Sequence, residues 1–291
     1  MINFFKYNSS GNDFIIIDNR EKKIQLKVSE IRKMCDRNFG VGADGLILLE
    51  SHEKVNYFMN YFNSDGLMSS FCGNGNLCCG HLAYHLGILN KKNKGTFSTR
   101  EGVFDLQVDD HNISISMPDV LDYIISTKDF QHFIINTGSP HYISFRDSVD
   151  KIDINKEGRM IRNSPLYIKE GINVTFVASS LFPSVKTMNL ADQSVISIRT
   201  YERGVESETL SCGTGVVAAA LSEIIYYAGF LDSDKIKNSL HHATKVKTLG
   251  GILNVDFKCD YKKNNELVNF NFSDIILSNR VNMVFQGHLL I

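Results

Sequence analysis

The chain has 291 residues and a formal net charge of −1 at pH 7. Hydrophobic residues make up 43% of it and charged residues 22%, a composition typical of a globular protein with a sizeable core. The near-neutral charge gives no reason to expect nucleic acid or an anionic membrane as a partner. No apolar run is long enough to span a bilayer, and the N-terminus lacks signal-peptide features, so a cytoplasmic protein is expected.

The first predicted elements are strands and one amphipathic helix. Residues 14–17 form a short β-branched run that predicts a buried strand, preceded by a polar turn that contains Asn12. Residues 28–37 carry apolar side chains at helical spacing, with cations near the end of the run. Residues 46–49 and 56–62 predict two further strands.

A cysteine on a glycine-rich turn follows these strands, and the same element recurs in the second half of the chain. Residues 71–75 read Phe-Cys-Gly-Asn-Gly and residues 211–215 read Ser-Cys-Gly-Thr-Gly. Each element opens an apolar, helix-like run, and the runs end at Gly87 and Gly229, as helices that stop at a left-handed glycine do. Two copies of one unusual element predict two similar halves, and each half is expected to contribute one thiol to a shared site.

Hairpins dominate the remaining sequence. Residues 103–108 and 113–117 alternate apolar and polar side chains, and Pro118 after them marks the predicted boundary between the halves. Gly250-Gly251 joins two strands late in the second half. Because strands outnumber helices, the sequence predicts an α+β fold of two similar domains. Each is expected to be a mainly antiparallel β-sheet or barrel wrapped around a central α-helix.

The six cysteines are scattered through a chain without a secretion signal, which argues against a disulfide framework. Cys72 and Cys212 are distinguished by their place at predicted helix starts, where N–H groups without helical partners and the helix dipole favour a thiolate. The other four are predicted to be small buried hydrophobes: Cys35, Cys78, Cys79 and Cys259.

The N–H groups at such helix starts can also hold a carboxylate. Two of these elements facing each other across a cleft would hold one carboxylate with a sulfur on either side. That arrangement suits inversion at the adjacent carbon, because one thiolate removes the α-proton and the opposite thiol supplies a proton to the other face. Amide dipoles aimed at the carboxylate would stabilise the charge that grows there.

Other interpretations of these elements remain open from the residues alone. Glycine-rich turns at helix starts often bind phosphate, but neither copy matches the Walker or dinucleotide patterns. The histidines His81, His85 and His141 are potential metal ligands, although a lone histidine is more often a core or surface residue. A thiol-based metal-binding or redox-sensing protein is therefore an alternative to the two-thiol acid–base site.

The motifs identify the chain as similar to the diaminopimelate epimerase family, within the cofactor-independent amino acid racemases. The most specific matches are Cys-Gly-Asn-Gly at 72–75 and Glu-Thr-Leu-Ser-Cys-Gly-Thr-Gly at 208–215. Proline racemases carry Cys-Gly-His-Gly and Ser-Pro-Cys-Gly-Thr-Gly instead. The resemblance covers nearly the whole chain in order, through further segments at 10–14, 40–45, 61–66, 137–141, 173–174 and 202–204.

The resemblance implies interconversion of LL- and meso-2,6-diaminopimelate, on the route to lysine and peptidoglycan, with no pyridoxal phosphate and no metal. It implies an N-terminal domain of residues 1–118 and 274–291 that carries Cys72, and a C-terminal domain of residues 119–273 that carries Cys212. The active site is expected in the cleft between them. The expected partner is the small-molecule substrate, with no nucleic acid or membrane, and the expected assembly is a homodimer.

The resemblance also assigns roles to individual residues. Cys72 and Cys212 are expected to be the two catalytic bases. The reacting carboxylate is expected to lie on the backbone amides around four residues: Gly73, Asn74, Gly213 and Thr214.

The rest of the substrate is expected to meet polar side chains. Glu202 and His141 are expected near the reacting amine, with Glu202 as its ionic partner, and Arg203 is expected to pair with the distal carboxylate. The remaining distal groups are expected to be recognised by three asparagines: Asn12, Asn63 and Asn173.

Four features depart from the commonest family pattern. Ser139 stands where asparagine is usual, and Gly45 stands where some members carry glutamine. Asn76-Leu77 replaces Ala-Arg, and the segment from Glu202 to Cys212 is one residue longer than usual. A racemase or isomerase of the same fold that acts on another amino acid is accordingly the nearest alternative.

Overall fold

The structure is a computed structural model that describes residues 1–69, 71–125, 131–179, 194–228, 239–264 and 267–290. The first part of the chain forms β1 (Ile2–Ser9), β2 (Asn12–Asp18), α1 (Val28–Cys35), β3 (Gly45–Glu50), β4 (Tyr57–Asn63), α2 (Gly73–His85), β5 (Lys94–Ser98), β6 (Val103–Asp109) and β7 (Asn112–Ser116). The second part forms β8 (Tyr123–Ile125), β9 (His132–Asn136), β10 (Pro140–Phe145), α3 (Ile154–Arg162), β11 (Asn173–Ser179), β12 (Ser194–Glu202), β13 (Ser207–Thr209), α4 (Gly213–Ala228), β14 (Ser239–Thr248), β15 (Gly251–Asn264), β16 (Leu267–Arg280) and β17 (Asn282–Leu289).

The chain divides into two compact units. Unit 1 comprises residues 1–116 and 278–291, and unit 2 comprises residues 117–277. The first division lies next to Pro118, where the sequence places the boundary between halves. The last strand, β17, pairs antiparallel with β1 in unit 1, so the chain begins and ends in the same unit.

Unit 1 is built from antiparallel pairs joined by two helical crossovers. Strands β1 and β2 are antiparallel, α1 then leads to β3, which lies parallel to β2, and β4 returns antiparallel to β3. Helix α2 follows and leads to β5, which lies parallel to β4 and begins the antiparallel series β5, β6 and β7. The hairpin predicted at residues 103–117 is therefore confirmed.

Unit 2 repeats this order of elements. Strands β9 and β10 are antiparallel, α3 leads to the parallel strand β11, and β12 returns antiparallel to it. Helix α4 then leads to β14, which is parallel to β12 and pairs antiparallel with β15. The β14–β15 loop is Leu249-Gly250, one position earlier than the predicted turn. The two similar halves predicted from the repeated cysteine element are confirmed.

Strands β2 and β3 of unit 1 are buried on both faces because a helix covers each side. Ile15, Ile17, Leu46 and Leu48 pack with α1 side chains in one core cluster. Side chains alternate along a strand, so Ile16 and Ile47 point to the opposite face, where α2 lies. Helix α2 contacts six strands of its own unit, which explains why it is buried from Gly73 to Ala83.

Unit 2 has the same layers. Val174 and Phe176 pack with Ile154 of α3, and α4 packs on the other side against strands β9 to β12, β14 and β15. The apolar run of α4 is buried from Val216 to Tyr227. The prediction of a sheet wrapped around one strongly apolar helix is confirmed in each unit. The other helix of unit 2, α3, was not predicted, because residues 154–162 include only a few apolar side chains.

Other sequence expectations can be compared with the described residues. Gly87 has a φ of 70° directly after the last residues of α2, as predicted, whereas Gly229 lies outside the described residues. None of the described helices has the length and apolar character of a membrane span. The four cysteines predicted to be ordinary buried residues are 4% exposed or less, and burial raises the pKa of each thiol.

One buried carboxyl group in α4 makes the stability of the fold depend on pH. Glu223 is fully buried, and its Oε1 accepts a hydrogen bond of 2.8 Å from the Ser179 hydroxyl. Its Oε2 has no partner among the described residues. Burial raises the pKa of Glu223 from 4.5 to about 7, because removal from water disfavours the charged form.

We expect Glu223→Gln to stabilise the protein at pH 8. The folded pKa lies above the unfolded one, so the unfolded state ionises first, and stability falls between about pH 4.5 and pH 7. The difference between the folded and unfolded pKa values corresponds to a loss of about 3 kcal/mol in the free energy of unfolding. Urea unfolding of both proteins at pH 5 and pH 8 should show this loss in the wild type and not in the variant.

Ser222→Ala is the matched control, because Ser222 is a buried neighbour with no ionisable group. It should leave the pH dependence unchanged. Equal pH dependence in Glu223→Gln and the wild type would contradict the prediction.

Candidate functional site

Cys72 lies at the N-terminus of α2 as the capping residue. Its backbone is extended, with φ of −120° and ψ of 105°, and its Sγ accepts a hydrogen bond of 3.4 Å from the Gly75 N–H. Its carbonyl accepts the first helical bond, from the Asn76 N–H at 2.9 Å. The sulfur therefore occupies the place of the side-chain oxygen in an ordinary N-cap. The next residues, Gly73 and Asn74, have N–H groups that the geometry of an α-helix directs out of its N-terminus.

Asn12 and Asn74 lie beside the Cys72 sulfur. Asn12 Oδ1 is 4.0 Å from Cys72 Sγ and accepts a hydrogen bond of 3.4 Å from Asn74 Nδ2. Asn74 Oδ1 in turn accepts from the Ser9 hydroxyl at 3.3 Å. Unit 1 thus brings Asn12 to Cys72 and Asn74, which follow it by 60 residues or more. We call Asn12, Cys72 and Asn74 the Cys72 cluster.

The strand register of unit 1 brings further candidates to one end of its sheet. Phe14 pairs with Gly45, and Gly45 pairs with Asn63. Asn12 begins β2 and Asn63 ends β4, so both lie at the edge from which the chain continues to Cys72. Asn63 also closes the following turn, since its N–H donates to the Leu67 carbonyl at 2.9 Å.

Gly45 is required by the close approach of a neighbouring strand. A Cβ at this position would lie 2.5 Å from Tyr61 Cε2 and 2.6 Å from the Phe62 carbonyl oxygen. The phenol ring of Tyr61 therefore fills the space that a longer side chain at position 45 would need. The bulky Tyr61 side chain therefore explains why this chain has glycine at position 45, where some family members carry glutamine.

Cys212 occupies the corresponding place in unit 2. It directly precedes α4, its carbonyl accepts the helical bond from the Val216 N–H at 2.8 Å, and it is 7% exposed. Its Sγ lies 3.5 Å from Thr214 Oγ1 and 4.0 Å from His141 Nε2. Gly213 and Thr214 form the first turn of α4. We call Cys212, Thr214, His141 and Asn173 the Cys212 cluster.

The hydrogen bonds around Asn173 fix the orientation of its amide. Asn173 Oδ1 accepts from the Arg203 backbone N–H at 2.9 Å, and Nδ2 donates to the Pro140 carbonyl at 3.1 Å. Nδ2 also lies 3.4 Å from His141 Nε2. The two hydrogens of Nδ2 go to the nearer acceptors, the Pro140 carbonyl and the Ser139 hydroxyl at 2.8 Å, so the contact with His141 is the longest of the three. The other ring nitrogen of His141, Nδ1, lies 3.1 Å from Thr175 Oγ1.

Burial keeps the His141 ring neutral. His141 is 0% exposed, and burial, together with the nearby Arg203 cation, lowers its pKa from 6.5 to about 3. Nε2 also lies 2.9 Å from Thr214 Oγ1, whose hydroxyl can donate to it. An uncharged ring nitrogen therefore lies beside the Cys212 sulfur, as Asn12 Oδ1 lies beside Cys72.

Glu202 is the last residue of β12, and Arg203 begins a tight turn. Glu202 Oε1 accepts a hydrogen bond of 2.5 Å from the Thr209 hydroxyl, across the β12–β13 pair. Arg203 Nη1 donates to the Glu170 carbonyl at 3.0 Å. The longer segment before Cys212 is accommodated here, where Glu206 adopts a φ of 58° and its N–H donates to the Glu202 carbonyl at 2.8 Å.

Ser139 forms a hydrogen bond with Asn173. It is 7% exposed, and its hydroxyl accepts a hydrogen bond of 2.8 Å from Asn173 Nδ2. The shorter side chain therefore supports the orientation of Asn173, which sequence reasoning did not foresee.

The structure adds residues that sequence reasoning missed. Thr175 holds the His141 ring, and Asp44 accepts from Asn12 Nδ2 at 2.7 Å. Both lie in or next to segments that match the family pattern, but their side-chain contacts depend on strand register. Among the described residues, no three His, Cys, Asp or Glu side chains are grouped as metal ligands would be, so the metal-site alternative gains no support there.

Comparison with known proteins gives one consistent family. A family model described as diaminopimelate epimerase matches residues 4–120 and 133–272. The chain is 38% identical over 284 residues to the diaminopimelate epimerase of Flavobacterium psychrophilum, an alignment that covers 97% of this chain and 98% of that protein. It is 34% identical over 303 residues to the diaminopimelate epimerase of Aquifex aeolicus, and this alignment covers 98% of this chain and 97% of that protein.

Solved structures share the fold at much lower identity. A crystal structure of a probable proline racemase from Agrobacterium radiobacter, with bound carbonate, matches with a TM-score of 0.65 and 12% identity. The match covers 100% of this chain and 93% of that one. At this identity the similarity shows the fold alone, and it confirms the predicted two-domain α+β architecture.

We expect the His141 ring to remain neutral from pH 8 to pH 5. Its folded pKa lies below the ordinary 6.5, so its contribution to stability is complete above pH 6.5 and is lost as pH falls toward 3. NMR of histidine-labelled protein should show no titration of this ring above pH 5. The same ring in urea-unfolded protein should titrate near 6.5, and a folded-state midpoint there would contradict the prediction.

Proposed function

We propose, on the premise that the chain belongs to the diaminopimelate epimerase family, that it is an isomerase that interconverts LL- and meso-2,6-diaminopimelate. One observation carries the residue assignments. In each unit a cysteine precedes the N-terminus of the central helix, and its sulfur lies 4.0 Å from a polar side-chain atom, Asn12 Oδ1 in unit 1 and His141 Nε2 in unit 2. The relatives that match nearly the full length of the chain bear the name of this activity.

We assign the two proton transfers to Cys72 and Cys212. One sulfur, as thiolate, takes the α-proton from one face of the carbon. The other, as thiol, gives its proton to the opposite face, so the bond to hydrogen is broken and remade with inversion. After one turnover the proton has changed places between the two thiols, and the reverse reaction starts from that state. Apparent pKa values belong to the pair of thiols, since they share one proton.

The local contacts of each sulfur suit both protonation states. A helix N-terminus and the Gly75 N–H stabilise the Cys72 thiolate. The Asn12 oxygen near Cys72 and the His141 nitrogen near Cys212 can accept a hydrogen bond from the thiol form. A sulfur with both kinds of neighbour can alternate between base and acid without rearranging its surroundings.

The reacting carboxylate is assigned to the N-termini of α2 and α4. The N–H groups of Gly73, Asn74, Gly213 and Thr214 lie in the first turns of these helices. Negative charge moves onto the carboxylate as the α-proton leaves, and preorganised N–H groups stabilise that charge. This stabilisation, with the fixed alignment of base, carbon and acid, lowers the barrier to removal of a weakly acidic proton.

The charged groups of the substrate are assigned to unit 2 and to the edge of unit 1. Glu202 is the ionic partner of the reacting amine, and the neutral His141 ring adds no positive charge that would repel it. Arg203 pairs with the distal carboxylate. The other distal polar groups are assigned to three asparagines, which satisfy hydrogen bonds that an enclosed substrate would otherwise lose: Asn12, Asn63 and Asn173.

The reaction so assigned uses thiols, amide dipoles and charged side chains, and it needs neither pyridoxal phosphate nor a metal. We also infer a homodimer and a cytoplasmic location from membership of the family, and both remain predictions. A racemase of another amino acid is the remaining alternative, and the response of substrate selection to changes at Arg203 distinguishes it.

We expect Cys72→Ser and Cys212→Ser each to lower the epimerisation rate by about 100-fold or more, because a serine hydroxyl is a far weaker acid than a thiol. The measurement is conversion of LL- to meso-diaminopimelate, followed by chiral chromatography, because the remaining thiolate can exchange the α-hydrogen without inversion. Cys259→Ala is the matched control, since Cys259 is a buried cysteine outside both clusters. Near-wild-type conversion to the meso isomer in either serine variant would defeat the two-base assignment.

We expect Arg203→Ala to raise KM for diaminopimelate by roughly 10-fold or more, the size of a lost hydrogen bond to a charged group. Amino acids without a distal carboxylate should be affected much less. Arg162→Ala is the control, because Arg162 contacts Glu206 of the same turn without an assigned substrate contact. Unchanged preference for diaminopimelate over shorter amino acids would remove Arg203 from the distal site.

A further inference from the structure

The amide of Asn12 is held at both ends. Its Nδ2 donates to Asp44 Oδ2 at 2.7 Å, while its Oδ1 accepts from Asn74 Nδ2 at 3.4 Å and lies 4.0 Å from Cys72 Sγ. A carboxylate can only accept hydrogen bonds. Asp44 therefore dictates that the nitrogen end of this amide faces it and that the oxygen end faces Cys72.

The same polarity extends along a chain of hydrogen bonds in unit 1. Asn279 Nδ2 donates to Ser9 Oγ at 2.9 Å, and Ser9 Oγ donates to Asn74 Oδ1 at 3.3 Å. Asn74 then donates to Asn12, which donates to Asp44. Every donor in the chain points toward the Asp44 carboxylate, so one acceptor-only group sets the direction of the whole series.

Asp44 is itself firmly placed. Its backbone N–H donates to the Asp13 carbonyl at 3.0 Å, and its Oδ1 accepts from Arg37 Nη2 at 2.7 Å. Arg37 also pairs with Asp13, which in turn binds Lys6. Burial alone would raise the pKa of Asp13, but hydrogen bonds from Arg37 and Lys6 lower it to about 2. The Asp13 carboxylate, which shares Arg37 with Asp44, is therefore charged at neutral pH.

We propose that Asp44 is a positioning residue that holds the Asn12 amide with its oxygen toward Cys72, and so prepares that thiol to act as the acid. The inference rests on the proposed catalytic role of Cys72. With an uncharged amide at position 44, Asn12 is able to turn over and present its nitrogen, a donor, to the sulfur. The thiolate is then favoured over the thiol, and the acceptor for Asn74 Nδ2 is lost.

Other charged or titratable groups also face this thiol and must be held constant in a test. Arg100 and Glu101 line a small cavity that Cys72 and Asn76 also line. Cys78, on the same helix, lies close enough for its pKa to respond to Cys72. None of these groups changes in the variants proposed below.

The test is a double-mutant cycle of Asp44→Asn and Asn12→Ala, read out as the rate of Cys72 alkylation by iodoacetamide at pH 7.5, resolved by peptide mass spectrometry. If Asp44 acts through Asn12, Asp44→Asn should accelerate alkylation by roughly 5-fold or more in the wild-type background. In the Asn12→Ala background it should change the rate by less than about 2-fold. A simple charge effect of Asp44 on the sulfur would persist in both backgrounds.

Arg37→Gln is the matched control, because it removes an ion pair of Asp44 and leaves its contact with Asn12 in place. It should leave alkylation within about 2-fold of the wild type in both backgrounds. Thermal unfolding of each variant reports folding, and Asp44→Ser serves as the second variant if Asp44→Asn does not fold. Equal effects of the Asp44 change in both backgrounds would overturn the inference.

The same proteins keep this inference separate from the proposed function. Alkylation of Cys72 does not require turnover, so the cycle gives its answer whatever the substrate is. Retained epimerisation of LL-diaminopimelate in Cys72→Ser would end the catalytic assignment of the thiol, and with it the acid role of the Asp44–Asn12 pair. Loss of epimerisation in Cys72→Ser together with an additive cycle would leave the function standing and remove Asp44 from it.

Discussion

Each candidate thiol depends on the start of a helix that is buried among the strands of its own unit. The first N–H groups of such a helix have no partner within it, and they must be satisfied by a cap, by solvent or by a ligand. Here the capping position is taken by a cysteine, Cys72 in unit 1 and Cys212 in unit 2. The unpaired N–H groups that need a cap therefore also favour a thiolate and can donate hydrogen bonds to a carboxylate.

The fold supplies this helix start by the same route in both units. A strand runs to the edge of the sheet, a glycine-rich turn follows, and the helix returns beneath the sheet to a parallel strand. Since α1 and α3 cover the other face, the central helices are enclosed, and their N-termini are fixed by packing on several strands. A rigid origin of this kind limits the movement of the sulfur, which proton transfer over a short distance requires.

The polar residues around each sulfur share one principle although their chemistry differs. In unit 1 a carboxylate, Asp44, orients the Asn12 amide, and in unit 2 a backbone N–H and a carbonyl orient the Asn173 amide, which lies against the His141 ring. In both cases a group that can only accept or only donate a hydrogen bond determines which end of a side-chain amide faces it. Buried networks of this type are stable only when every member is satisfied, so each also limits which substitutions its cluster tolerates.

The sequence by itself determined the repeated element, the two-unit organisation, the enclosed apolar helices and the identity of the two distinctive cysteines. These follow from local rules, because glycine-rich turns, apolar periodicity and hairpin signals act within a few residues of each other. It did not determine that Ser139 supports Asn173, that Tyr61 fills the space beside Gly45, or that Asp44 meets Asn12. Those contacts join residues in or next to different strands. Only the register of β2 with β3, of β3 with β4 and of β10 with β11 in the folded units decides which side chains become neighbours.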